Sequence, residues 1–246
     1  MLRRLLLTAT ATAACVLGGA AGAAAAPYSL LQVNLCGSGL APCFGMGSSN
    51  KAGKAAELIR ARRPSVVTLN EMCSNDLATI RRATGFNGHF IRSGSQKCKN
   101  KQEYGNAVMF APGVRVAVVS QTTYLAQQRR GDEKRTLLCV DGGGVRVCVT
   151  HLDSGGLQGQ QAQQMESTLA NYADAGVRTL LGGDWNLKFG GNPNAQNFVP
   201  GGMFRKGDND VQHVMATQKH FRFVSTRTMR LNWTDHPGFQ VYFDKR

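Results

Sequence analysis

The chain has 246 residues, with 29 lysines and arginines against 15 aspartates and glutamates, a formal charge of +14 and a pI near 9.9. That balance points to a polyanionic partner, nucleic acid first and an anionic membrane surface second. The length suits one sizeable α/β core rather than two domains, and beyond the N-terminus no run approaches the roughly 20 apolar residues of a spanning helix.

The first segment reads Met1-Leu2-Arg3-Arg4, then an apolar, Ala-rich stretch, then small residues around Ala23 to Ala26 before Pro27. A basic start, an apolar middle and an A-x-A-type end make a secretory signal peptide over 1–26, leaving a single domain over 27–246 and a secreted, extracellular protein. Removing Arg3 and Arg4 leaves the mature chain at +12. Elements then alternate. Ser29 to Asn34 reads as a strand, Lys51 to Arg63 as an amphipathic helix closed by Pro64, Val66 to Asn70 as a buried strand, and Asn75 to Thr84 as a helix capped at Ser74 or Asn75 and ended by Gly85. Strands follow at Asn106 to Phe110, Arg115 to Leu125, Arg135 to Val140 and Val145 to Leu152. A helix over Gln158 to Ala175 ends at Gly176, and Arg178 to Leu181 is a strand. Gly190 to Gly202 reads as a surface loop, and Val211 to Ala216, Arg222 to Thr228 and Phe239 to Phe243 complete the set of strands.

Six cysteines remain after the leader, and in an exported chain an even count without CxxC or paired-His spacing favours disulfides over zinc. Cys139 and Cys148 flank a DGGG turn symmetrically and face each other across a hairpin. Cys36 and Cys43 close a short loop, and Cys73 is left to pair with Cys98.

Five apolar runs end in polar residues of chemical use: LLQVN at Asn34, VVTLNE at Glu71, VCVTH at His151, LLGGDWN at Asp184 and Asn186, and TDH at Asp235 and His236. Strand ends are where α/β folds collect reacting groups. The first half's QVNL, helix, VVTLNE is matched by VCVTHL, helix, TLLGGDWN in the second. Two such units packing with their polar ends on one edge make a two-sheet sandwich.

In this order, with Tyr104 in EYGNAVMF and Arg135 opening RTLLCV, the set resembles the endonuclease/exonuclease/phosphatase superfamily over nearly all of the mature chain. The resemblance implies a four-layer α/β sandwich, two packed mixed β-sheets flanked by helices, and metal-dependent phosphodiester hydrolysis. It implies Mg²⁺, or another divalent cation such as Mn²⁺ or Ca²⁺, carried by Glu71 with Asn34 nearby and Asp235 in reach. A hard cation held by one carboxylate and waters suits that assignment. It implies two histidines, His151 and His236, bracketing the scissile phosphate, either one acid or base. Asp184 and Asn186 orient water or metal and bond the phosphate, Tyr104 contacts it, and Arg135 lies near it.

One departure stands out. The family has an Asp in the strand before the last motif, holding the final histidine, where this chain reads Val211-Gln212-His213-Val214. Gln212 accepts an imidazole N–H without supplying charge, and Asp210, two residues earlier, is the alternative orienter. The expected function is a secreted phosphodiesterase acting on nucleic acid, DNA first, as a monomer by default and without an obligate protein partner. A sphingomyelinase-like activity on phospholipid and a catalytically impaired polyanion-binding protein are the alternatives. With aromatics at 7%, no loop carries the adjacent Trp or Phe that membrane insertion needs.

Overall fold

A computed structural model describes residues 27–129 and 131–246; the leader expected over 1–26 lies outside them. Among the described residues, twelve strands and three α-helices run in the order β1 (Tyr28–Asn34), α1 (Lys51–Arg62), β2 (Val66–Cys73), α2 (Ser74–Thr84), β3 (Asn87–Lys97), β4 (Glu103–Phe110), β5 (Val116–Thr123), β6 (Thr136–Gly142), β7 (Val145–His151), α3 (Gln158–Asp174), β8 (Thr179–Asp184), β9 (Met203–Gly207), β10 (Gln212–Thr217), β11 (Phe221–Met229) and β12 (Gly238–Lys245). They form two six-stranded sheets, ordered β11-β12-β1-β2-β4-β3 and β5-β6-β7-β8-β10-β9.

Each sheet is built around one parallel pair joined by a helix: β1 with β2 through α1, and β7 with β8 through α3. These are the two matching halves visible in the sequence. All other pairings are antiparallel, so both sheets are mixed. Consecutive strand residues serve opposite faces. Leu30, Val66, Val149, Leu180 and Val214 meet between the sheets. Their neighbours Leu31 and Val67 pack under Ala55, Ile59 and Ile80 of α1 and α2, while Leu181 and Met215 pack under Met165 and Leu169 of α3. Both faces of the central strands are therefore buried, which is why they read as unbroken apolar runs. Each such side chain contributes about 1.5–3 kcal/mol.

The helices start and stop by local rules. Asn50 Oδ1 accepts from Gly53 N at 3.0 Å at the start of α1, and Arg63 ends it in the left-handed region just before Pro64. The second helix starts one residue earlier than its Ser74 or Asn75 cap implies, because Asp76 reaches back to Cys73 N at 2.7 Å. All three expected disulfides are formed, with Cα–Cα separations of 6.0 Å (Cys36–Cys43), 6.1 Å (Cys73–Cys98) and 4.1 Å (Cys139–Cys148). Among the described residues no helix is long and apolar enough to cross a membrane.

Towards the carboxyl ends of the parallel strands the apolar interior gives way to a buried polar layer. Gln32 Nε2 donates to Asn70 Oδ1 (2.6 Å) and to Gln212 Oε1 (2.9 Å), and Thr68 Oγ1 donates to Gln32 Oε1 (2.6 Å). Asn70 Nδ2 donates to Asn106 Oδ1 and to Thr150 O, both at 2.9 Å. The sheets approach closely here because of Gly182, where a Cβ would collide with the Thr68 hydroxyl of the facing sheet; next to it, a Cβ on Gly183 would collide with the Thr150 carbonyl of the neighbouring strand β7. A network whose members are all bonded fixes the sheet-to-sheet register as oil-like packing does not.

Candidate active site

That polar layer opens into a cleft of about 340 Å³ whose walls include Glu71, Tyr104, Arg135, His151, Asp184, Asn186 and His236. Strand register brings them there. Asn34 pairs with Asn70 across β1 and β2, and His151 with Asp184 across β7 and β8, so the ends of four strands lie at one level.

Asp184, 1% exposed, is the hub. Its Oδ2 accepts from Asn34 Nδ2 (3.0 Å) and Gln212 Nε2 (3.0 Å) and lies 3.2 Å from His236 Nε2, while Oδ1 accepts from Asn186 N at 3.1 Å. Burial raises its pKa, against which the His236 charge and these donors pull. Glu71 Oε1 accepts from the same Asn34 amide at 2.8 Å. Burial is the main cause of its raised pKa; the Asn34 bond opposes that and the Asp184 charge adds to it. Glu71 sits at φ +55°, where the β2–β4 register breaks between Leu69 and Met72. A non-glycine residue in that region costs about 1–3 kcal/mol and is found mostly at functional sites.

The two histidines face the hub in different states. His151 Nε2 lies 3.3 Å from Asn186 Nδ2, which also donates to Leu152 O at 2.9 Å. Burial, then the charges of Arg135 and His236, hold its pKa well below the ordinary imidazole range, so the ring is neutral. His236 is held between carboxylates, Nδ1 2.8 Å from Asp235 Oδ1 and Nε2 on Asp184. Burial pulls its pKa down, but Asp184 and then Asp235 outweigh this and raise it. The segment carrying it is pinned: Thr234 Oγ1 donates to Asn34 O at 3.0 Å, and the Lys51 ammonium, on a residue 2% exposed, donates to the carbonyls of Cys43 (3.1 Å), Met46 (3.1 Å) and Trp233.

Two expectations need correction. Gln212 does not touch the last histidine; it spans from Gln32 to Asp184 inside the polar layer, because β10 pairs with β8 and its side chain points between the sheets. Asp210 lies outside the strand, exposed, on Lys188 Nζ at 2.7 Å. The carboxylates that hold His236 are Asp184 and Asp235. Asp235 itself, with a side chain 46% exposed, engages the end of the ring turned away from Asp184, so it is placed to orient the histidine. Asn34 presents its amide N–H to the two carboxylates, while its oxygen accepts from Cys36 N at 3.0 Å.

Tyr104, 5% exposed, and Arg135 stand in the cleft wall. Arg135 is joined there by a residue the sequence did not mark, Glu133, whose Oε1 is 3.0 Å from its Nη1. Glu133 lies on an irregular stretch with a single bridge to Gly94 and no strand-end signature. Gln32, Asn70, Asn106 and Lys51 were also missed. The two-residue spacing of Gln32 and Asn34, and of Thr68 and Asn70, on otherwise apolar strands was the available signal.

His213 is structural. Fully buried, its Nε2 faces Leu187 O at 2.7 Å and its Nδ1 faces Arg205 Nη1 at 2.8 Å, so Nδ1 accepts and Nε2–H donates. Burial lowers its pKa from 6.5 to about 4. The folded state keeps the ring neutral where the unfolded chain takes up a proton, so its contribution is intact above about pH 6.5 and is lost as pH falls towards 4. Urea unfolding between pH 7 and pH 4 is expected to show a loss of roughly 3 kcal/mol from this residue, absent from the acid slope of His213→Gln; equal slopes would contradict it.

The donor set fits a divalent cation. Two carboxylates, the buried Asp184 and the partly buried Glu71, are tied to one amide, a third, Glu133, shares the cleft, and oxygen is what hard cations take. The chain matches the model of the endonuclease/exonuclease/phosphatase family over residues 31–236, and it belongs to that family. Enzymes of this family are generally hydrolases of phosphoester bonds and typically use divalent metal ions. Solved structures share the fold at low identity. The human Nocturnin catalytic domain with bound sulfate superposes with a TM-score of 0.69 at 14% identity, over 90% of this chain and 94% of that one. Zebrafish (D. rerio) TDP2 in complex with a single-strand DNA product gives 0.63 at 14%, over 88% and 98%. A mannosyl-6-phosphatase from Bacteroides thetaiotaomicron gives 0.64 at 12%, over 88% and 99%. No curated protein sequence matches the chain.

Proposed function

We propose that this protein is a secreted, metal-dependent phosphodiesterase that hydrolyses nucleic acid, with DNA as its first substrate. The observation that carries the reading is the shared amide of Asn34, which ties together two carboxylates beside two imidazoles, one whose pKa is held well below the ordinary range and one whose pKa is raised. Glu71 would hold the cation, Mg²⁺ first. When bound, a divalent cation neutralises charge on the phosphate and eases attack on phosphorus. The protein's own groups do the rest. Arg135 and Tyr104 bind and orient phosphate oxygens, and Asn186 sets the His151 ring. Asp184 with Asp235 keeps the proton on His236. The two rings together supply the acid and the base that diester cleavage needs.

Net charge favours a polyanion over a small ester. The phospholipid reading lacks support at the cleft, where Leu40 is the one exposed large apolar side chain among the described lining residues. Gln212 was the sole basis for reading the chain as catalytically impaired; it bonds Asp184, and the carboxylates of Asp184 and Asp235 beside His236 support the active reading.

The test is a panel of DNA, RNA, sphingomyelin and a sugar monophosphate, each with saturating Mg²⁺. The highest kcat/KM is expected on DNA. Preferential release of phosphocholine, or of inorganic phosphate from the sugar ester, would overturn the substrate assignment.

A further inference from the structure

The cleft does not stand alone. It shares Ser38 with a recess of about 270 Å³ lined by Phe44, Asn50, Lys99 and Asn100, and it shares His236 with another of about 300 Å³ lined by Met46, Thr228, Arg230 and Pro237. One loop contributes to all three: Gly37, Ser38, Gly39 and Phe44 to the first recess, Ser38, Leu40 and Ala41 to the cleft, Met46 to the second recess. The Cys36–Cys43 disulfide closes that loop and Lys51 grips its carbonyls at Cys43 and Met46.

Each flank carries an exposed cation. The Lys99 stem lies along Gly39, a glycine at φ +77° where a Cβ would press on Lys99 Cβ at 2.9 Å, and Cys98–Cys73 ties this lysine loop to the strand that bears Glu71. Arg230, just after β11, is exposed and lines the recess that meets the cleft at His236. The acidic residues of the recesses are engaged locally, Asp76 on Cys73 N and Asp235 on His236.

We infer that the cleft and its two recesses form one groove, open at both ends, in which a polynucleotide strand lies across the reacting centre. Lys99 holds the backbone phosphates on one side of the scissile bond and Arg230 those on the other. The enzyme therefore cuts internal phosphodiester bonds. Water's oxygen bonds to phosphorus, the P–O bond to one flanking nucleoside breaks, and that nucleoside's oxygen takes a proton, leaving a phosphate monoester and a hydroxyl. This rests on the proposed hydrolase activity.

The experiment uses closed circular single-stranded DNA, a fluorescent linear oligodeoxynucleotide and bis(p-nitrophenyl) phosphate, with the full protein and its Lys99→Ala and Arg230→Ala variants. Both substitutions are at exposed positions. Cutting of the circle is expected. In each variant the ratio of oligonucleotide to small-diester kcat/KM is expected to fall about tenfold. The slope of log affinity against log salt is expected to shrink by about one. An untouched circle with the oligonucleotide shortened from one end would overturn the inference, as would a cut circle with ratio and salt slope unmoved. Hydrolysis of the small diester without any cutting of DNA would defeat the groove alone. Failure on all three substrates would defeat the hydrolase reading itself, and the groove with it.

Discussion

Glu71→Gln is expected to lower Mg²⁺-dependent hydrolysis by about 10²- to 10³-fold, the rate equivalent of the several kcal/mol a divalent cation contributes. The substitution keeps shape and the acceptor for Asn34 Nδ2, now 2.8 Å from Glu71 Oε1, so the fold should persist while the charge is gone. Two readouts separate metal binding from architecture. Calorimetric titration with Mn²⁺ should show weakened binding, and the urea midpoint at neutral pH should hold or rise, since a desolvated carboxylate beside the charge of Asp184 is unfavourable without a cation. Unchanged kinetics with unchanged Mn²⁺ binding would remove Glu71 from the reaction.

The second large effect is expected at His236. His236→Ala should cost about 10²- to 10⁴-fold in kcat, the range for a lost general acid or base. It also strips Asp184 of the imidazole 3.2 Å from its Oδ2, and burial already disfavours charge on that carboxyl. Added imidazole should restore part of the rate, because the ring occupies the cleft wall between Asp184 and Asp235 and its deletion leaves a ring-sized space. Full activity in the alanine variant would show that the ring serves only to pair the two carboxylates.

Much of the fold was legible because the central strands are buried on both faces and end abruptly. LLQVN, VVTLNE, VCVTH and LLGGDWN run into the polar layer, and the polar residues that close them, Asn34, Glu71, His151 and Asp184 with Asn186, meet at the cleft. The strands missed, β3 and β9, are sheet edges paired on one side only. NGHFIRSGSQK is half-buried along most of its length, carries two glycines, and shows neither alternation nor an apolar run. MFRKG is short and follows a Gly-Gly pair.

The site divides along similar lines. Residues at strand ends could be named from position, but what each one touches depends on the other sheet. Gln212 illustrates this: in sequence it stands where a histidine's partner is expected, yet the antiparallel β8–β10 register sets it opposite Asp184. Glu133 and Lys51 lie off the strand ends, and their contacts are made by irregular loops whose paths no periodicity encodes.

The central claim is that the residues gathered around Asp184 form one hydrolytic centre. It is tested most directly by the rate at which supercoiled plasmid is nicked by the wild-type protein and by His151→Ala with matching unfolding transitions, each with Mg²⁺ and with chelator. Nicking by the wild type that stops with chelator and falls at least about 10²-fold in the variant is the expected result. Equal nicking by the two proteins, or nicking indifferent to chelator, would contradict the account.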